Sequence, residues 1–256
     1  MAEIQPRDIV VGHGTDARAI AVRQRSGTAP GLFWLGGFRS DMIGSKAMAL
    51  DAYGAEHGLA VTRFDYSGHG VSGGSFDDGT ISRWLEEAEA VFAFAAGPQI
   101  VVGSSMGGWL ALLLARSLLR RGTPLKGLIL IAPAPDMTHE LMLKDFTPEE
   151  RSSLKQLGYV DQPSQYSATP YRITRGLIED GANHLLFGKV IETGCPVVIL
   201  QGGADPDVPQ SHAIRLTTHL LHDPVTLTLI PDGDHRLSRP QDLKLLTDAV
   251  ERLVGE

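Results

Sequence analysis

The chain has 256 residues, 43% hydrophobic and 21% charged, so it can bury one large core, and α/β folds of this length commonly form a single domain. A formal net charge of −7 with no run of Arg or Lys argues against a nucleic-acid partner. No apolar stretch reaches the roughly 18 residues of a membrane helix, and MAEIQPRDIV shows no basic segment leading into an apolar core, so a cytoplasmic location without stable membrane insertion is expected.

Short apolar or β-branched runs alternate with helical patterns along the chain. Strands are predicted at 19–22, 32–35, 60–64, 100–102, 127–131, 197–200 and 226–230. The alternation predicts parallel strands joined by crossover helices. The unbroken hydrophobicity of the middle runs predicts cover on both faces, giving a mostly parallel, doubly wound α/β sheet. Sites in such sheets lie at the carboxyl ends of the strands.

Trp84, Leu85, Ala88, Val91, Phe92 and Ala95 share one helical face, and Leu243, Leu246, Val250 and Leu253 share another, as packing helices do. Residues 106–119 are apolar nearly all round and end in Arg120, Arg121 and Gly122, the pattern of a buried central helix with a glycine stop. From about 136 to 189 the rhythm breaks into scattered Pro, Tyr and charged residues, read as a short helical insertion that can cap a site at the sheet's edge. Within it, Thr147-Pro148-Glu149-Glu150 has the form of a capped helix start. Tyr66, Trp109, Met142, Phe146, Tyr171 and Leu185 are candidates to line a pocket but each reads first as core or cap packing, and Cys195, the one cysteine, reads as a buried structural thiol.

The segment IVVGSSMGGWL holds Gly-x-Ser-x-Gly between an apolar strand and an apolar helix, the form of a nucleophile elbow centred on Ser105. A serine hydroxyl attacks only when a base takes its proton, and the base needs an acid to hold its tautomer. His235, in the polar turn IPDGDHRLS after the last strand, suits the base. The remaining histidines, His69 in YSGHGVSGG among them, read individually as structural or solvated.

Asp205, just past the strand VVILQGG, suits the acid, with Asp207 and the earlier Asp136 as alternatives. Asp232 and Asp234 read as turn formers. A tetrahedral intermediate needs two donors for its oxyanion. The Met106 N–H supplies one, and the Phe38 N–H after Gly36-Gly37 supplies the other unless that segment is a plain turn. With no H-E-x-x-H or paired-ligand spacing, neither a metal nor another cofactor is expected.

With these residues assembled, the chain resembles the α/β-hydrolase superfamily over nearly its whole length. LGGFRSDMIGSKA, FDYSGHGVSGG, GPQIVVGSSMGGWLALLLA, LQGGADPDVP and GDHRLS look more narrowly like the family of α/β-hydrolase domain-containing protein ten, which comprises palmitoyl-protein thioesterases also known as mycophenolic acid acyl-glucuronide esterases. That resemblance implies triad roles for Ser105, Asp205 and His235. It also implies hydrolysis of acyl groups from an S-acylated protein or a small-molecule acyl ester. The family has Pro-Gly where this chain has Gly36-Gly37, so substrate choice transfers least. A general short-chain carboxylesterase, or a non-catalytic ligand-binding member of the fold, are the other readings.

Overall fold

Each unbroken apolar run forms a strand covered on both sides. The computed structural model describes residues 4–163 and 170–255. The chain begins with β1 (Ile4–Val11), β2 (Arg18–Arg25), β3 (Thr28–Leu35), α1 (Ser45–His57), β4 (Leu59–Phe64) and α2 (Ile81–Phe92). It continues through β5 (Gln99–Ser104), α3 (Met106–Arg120) and β6 (Gly127–Ile131). An intervening segment then carries a π-helical turn (Thr138–Leu143), α4 (Pro148–Leu157), β7 (Tyr159–Gln162), β8 (Tyr171–Thr174) and α5 (Arg175–Gly181). The chain returns as β9 (Val197–Gly202), α6 (Gln210–Thr217), β10 (Val225–Ile230) and α7 (Pro240–Gly255).

The main sheet has eight strands in the order β1-β2-β4-β3-β5-β6-β9-β10. From β4 to β10 every pairing is parallel, while β1–β2 and β2–β4 are antiparallel. The sheet is therefore the expected mostly parallel one with an antiparallel edge. β1 carries little hydrophobic signal because it is that edge: most of IQPRDIVV is exposed.

Successive side chains point to opposite faces of a strand. Phe33, Leu35, Val101, Leu128 and Leu130 pack with α2, α3 and α6 on one face, and Leu32, Trp34, Ile100, Val102 and Ile129 pack with α1 and α7 on the other. Each fully buried side chain of this kind contributes about 1.5–3 kcal/mol. α3, the helix after the elbow, is buried along most of its length, as its all-round apolar sequence predicts.

The intervening segment differs from the helical insertion expected there, because β7 and β8 form an antiparallel hairpin beside the helices. At four residues each, YVDQ and YRIT are too short to show a period in sequence. The capped helix start is present: Thr147 Oγ1 accepts from the Glu150 N–H, and Glu150 Oε2 accepts from the Thr147 N–H at 2.8 Å. Cys195 is buried, and burial pushes its thiol up to about 11, far from a thiolate nucleophile.

Candidate active site

The turn between β5 and α3 forces Ser105 to φ 55°, ψ −118°, a conformation costing about 1–3 kcal/mol that survives only where its surroundings fix it. They do so from both sides. A Cβ on Gly103 would stand 2.3 Å from the Gly107 carbonyl oxygen, and one on Gly107 would stand 2.1 Å from that of Leu35, so neither position admits a side chain. The Ser105 N–H donates to the Ile131 carbonyl at 2.9 Å, tying the turn to the neighbouring strand.

His235 reaches this serine from the loop after β10. Its Nε2 is 3.0 Å from Ser105 Oγ and its Nδ1 is 2.8 Å from Asp205 Oδ2. The Asp205 side chain is fully buried. Its Oδ1 accepts the backbone N–H groups of Asp207 and Val208, both at 2.9 Å, and Oδ2 also accepts from Gln201 Nε2 at 3.2 Å. The loops after β9 and β10 are themselves joined, since the Gly203 N–H donates to the Ile230 carbonyl at 2.7 Å and the Ala204 N–H to that of Gly233 at 2.9 Å. Asp205 and His235 are thus fixed relative to each other by main chain.

Of the three candidate acids, Asp205 is the one at the histidine. Asp207 lends it a backbone N–H. Asp136 is occupied elsewhere: its oxygens accept the N–H groups of Leu186 and Phe187 at 2.7 and 2.8 Å, while burial pushes its carboxyl above the usual range. Asp232 pairs with Arg239, and Asp234 Oδ1 accepts the Leu237 N–H, the behaviour of turn formers. The donor atoms of Asp205, Asp207 and His235 lie within 4.8 Å of one another, close enough to share a metal ion, but Asp205 and His235 bond each other directly.

The loop after β3 lies against the elbow, so close that a Cβ on Gly37 would stand 3.3 Å from Ser105 Cβ. Among the described residues, neither the Phe38 N–H nor the Met106 N–H has a hydrogen-bond acceptor. Gly37, Phe38, Ser105 and His235 line a cavity of about 450 Å³, within the range of small-molecule sites.

Part of its wall comes from the intervening segment, through Met137, Leu141, Met142, Tyr171 and Ile173. Met142 and Tyr171, read from sequence as packing residues, therefore face the cavity. Tyr66, Trp109 and Phe146 are buried in the core, and Leu185 is half-buried outside the lining.

Sequence reasoning also missed the polar rim. Lys46 lines the cavity and donates from Nζ to the Arg236 carbonyl; burial, then the Arg236 charge, lowers its amine to about 8. A lone lysine near a helix start carries no signal of this placement in sequence.

Comparison with known proteins agrees with this architecture. Residues 9–244 match the model of the alpha/beta hydrolase family. The chain is 31% identical over 243 residues to the human mitochondrial palmitoyl-protein thioesterase ABHD10, covering 94% of this chain and 78% of that protein. A crystal structure of a putative hydrolase from Agrobacterium vitis S4 is 50% identical, with a TM-score of 0.96 over 98% of this chain and 99% of the other. The mouse alpha/beta hydrolase domain-containing protein 10 is 29% identical, with a TM-score of 0.85 over 99% of each chain. The mammalian relatives are mitochondrial by name, whereas the sequence led to an expectation of cytoplasm; among the described residues no helix is long and apolar enough to cross a membrane. A strained serine between two glycines at the carboxyl end of a central parallel strand, a family match across nearly the whole chain and this degree of likeness lead to one conclusion: the chain belongs to the alpha/beta hydrolase family, alongside the ABHD10 palmitoyl-protein thioesterases it resembles.

Proposed function

We propose that the protein is a serine hydrolase that cleaves acyl thioesters or esters through an acyl-enzyme. The observation that carries this reading is His235 placed between Ser105 Oγ and Asp205, at 3.0 and 2.8 Å. Ser105 Oγ attacks the acyl carbonyl as His235 Nε2 takes its proton, while Asp205 holds Nδ1 protonated and offsets the charge of the imidazolium. The carbonyl oxygen, now an oxyanion, accepts from the N–H groups of Phe38 and Met106. Collapse breaks the bond to the leaving sulfur or oxygen, which takes the proton from His235. Water then attacks the acyl-enzyme, again giving up a proton to His235, and a carboxylic acid leaves with Ser105 restored.

Two things favour acyl chains of some length on a thiol. The relatives that match over most of this chain are named palmitoyl-protein thioesterases. The apolar side chains of Met137, Leu141, Met142 and Ile173 also offer a surface for a hydrocarbon, on which each buried methylene contributes up to about 0.8 kcal/mol. The substrate would be an S-acylated protein or a small acyl ester, with no cofactor needed for the steps above.

Hydrolysis of matched thioesters and oxygen esters from C2 to C16, by wild type and Ser105→Ala, tests the reading. Activity that needs Ser105 and rises with chain length on thioesters is expected. Rates that peak at C2 to C4 on esters would make the protein a short-chain carboxylesterase. No Ser105-dependent turnover of any substrate would leave a ligand-binding member of the fold.

A further inference from the structure

His69 lies on the loop after β4. It is 3% exposed and packs among the rings of Tyr66, Phe76 and Trp84. Both ring nitrogens are engaged: Nδ1 is 3.1 Å from the Ser67 carbonyl oxygen and Nε2 is 3.1 Å from the backbone nitrogen of Arg39. A carbonyl only accepts and a backbone N–H only donates, so these two partners require a neutral ring with its hydrogen on Nδ1. Burial lowers its pKa to about 4 and keeps the ring neutral at neutral pH. Ser67 is fixed in turn, because its N–H donates to Glu87 Oε2 at 2.8 Å and Glu87 forms a buried ion pair with Arg18 at 2.5 Å.

Arg39, which receives this contact, follows Phe38 in the loop that lies against the elbow. Its φ of 54° is left-handed, a conformation that is strained for a residue with a side chain and needs support from outside. Asp65, from the same β4 exit, holds the loop three residues further on by accepting the Met42 N–H at 2.6 Å; its other oxygen accepts the Val71 N–H at 2.9 Å. The loop after β4 thus clamps the loop after β3 at Arg39 and at Met42. The His69 contact is the one that touches the peptide joining Phe38 to Arg39.

We propose that His69 is a positioning residue for the reaction: by accepting the Arg39 N–H it fixes the peptide after Phe38 and so keeps the Phe38 N–H aimed at the oxyanion. This rests on the serine-hydrolase reading above. A ring that merely filled core space would stabilise the fold without favouring the transition state. A ring that aims a donor acts mainly on kcat, since the oxyanion forms only after attack.

Two variants separate these roles. His69→Leu fills the space with no acceptor, whereas His69→Gln retains one. Loss of a whole oxyanion donor costs about 100- to 1,000-fold in kcat, so a misaimed one should cost His69→Leu about 10- to 100-fold, with KM changed less than threefold. His69→Gln should recover most of that loss even if both variants melt at the same lowered temperature. Phosphonylation of Ser105 by a fluorophosphonate should slow in the same order.

In the wild-type protein, the ¹⁵N resonances of the His69 ring at pH 7 should show a neutral imidazole protonated on Nδ1, a measurement that needs no variant to fold. An imidazolium or an Nε2-protonated ring overturns the proposal. So does His69→Leu turning over at the wild-type kcat, or His69→Gln no faster than His69→Leu. Wild-type rates in Ser105→Ala would instead overturn the serine reading, and the positioning role with it.

Discussion

The loops at the carboxyl edge of the sheet and the intervening segment between β6 and β9 build the same cavity by different means. At the edge, Ser105, Asp205 and His235 sit on turns tied to neighbouring strands by backbone hydrogen bonds, and a φ of 55° at Ser105 persists because the chains around it leave no alternative. The intervening segment contributes side chains of Leu, Met and Ile to one wall of the cavity. The edge thus supplies fixed geometry for chemistry. On the proposed reading the segment supplies an apolar surface that sets what fits, where methionine can adapt to differently shaped ligands.

If this division holds, substitutions at the edge and in the segment should alter different quantities. The largest loss is expected at the edge: Ser105→Ala should lower kcat by a factor on the order of 10⁴ or more for every substrate, whatever its chain length. Asp205→Asn should cost about 10³- to 10⁴-fold, because an amide cannot hold the same imidazole tautomer, whereas Asp207→Asn keeps the backbone N–H that Asp207 donates and should cost less than tenfold. Steady-state rates on one thioester check both, and comparable losses at Asp205 and Asp207 would break the assignment of the acid.

In the segment, Met142→Ala or Ile173→Ala should lower kcat/KM for long acyl chains by about 5- to 50-fold, as expected for losing contact with one or two methylenes' worth of surface or more. The same variants should leave short-chain substrates nearly unaffected, which a chain-length series would show. The smallest effect is expected away from the cavity. Thr147→Ala removes the capping box of α4 and should cost about 1 kcal/mol of stability in denaturant unfolding without changing the chain-length profile.

The same division explains what could be read in the sequence. The apolar runs of β3, β5, β6 and β9 are legible because strands covered on both faces need hydrophobic residues throughout, and the elbow is legible because Gly103 and Gly107 have no room for any other residue. Asp205 and His235 follow from their place after the last two strands of the sheet. β1 is an exposed edge, and β7 and β8 have four residues each, so none of the three carries a period that stands out.

Met142 and Tyr171 could be named in sequence as candidates to line a pocket but not told apart from Tyr66, Trp109 and Phe146, because a residue facing a cavity has the same composition signal as one facing a core. His69 was visible within FDYSGHGVSGG, but nothing local shows that its ring meets the backbone of Arg39, 30 positions away.

Whether Ser105 is the nucleophile is decided by treating the folded protein with a fluorophosphonate and locating the adduct by peptide mass spectrometry. Stoichiometric labelling of Ser105 is expected, abolished in Ser105→Ala and strongly slowed in His235→Ala. An unlabelled Ser105 in a protein that still hydrolyses thioesters, or a label on another residue that accounts for the activity, would contradict that role.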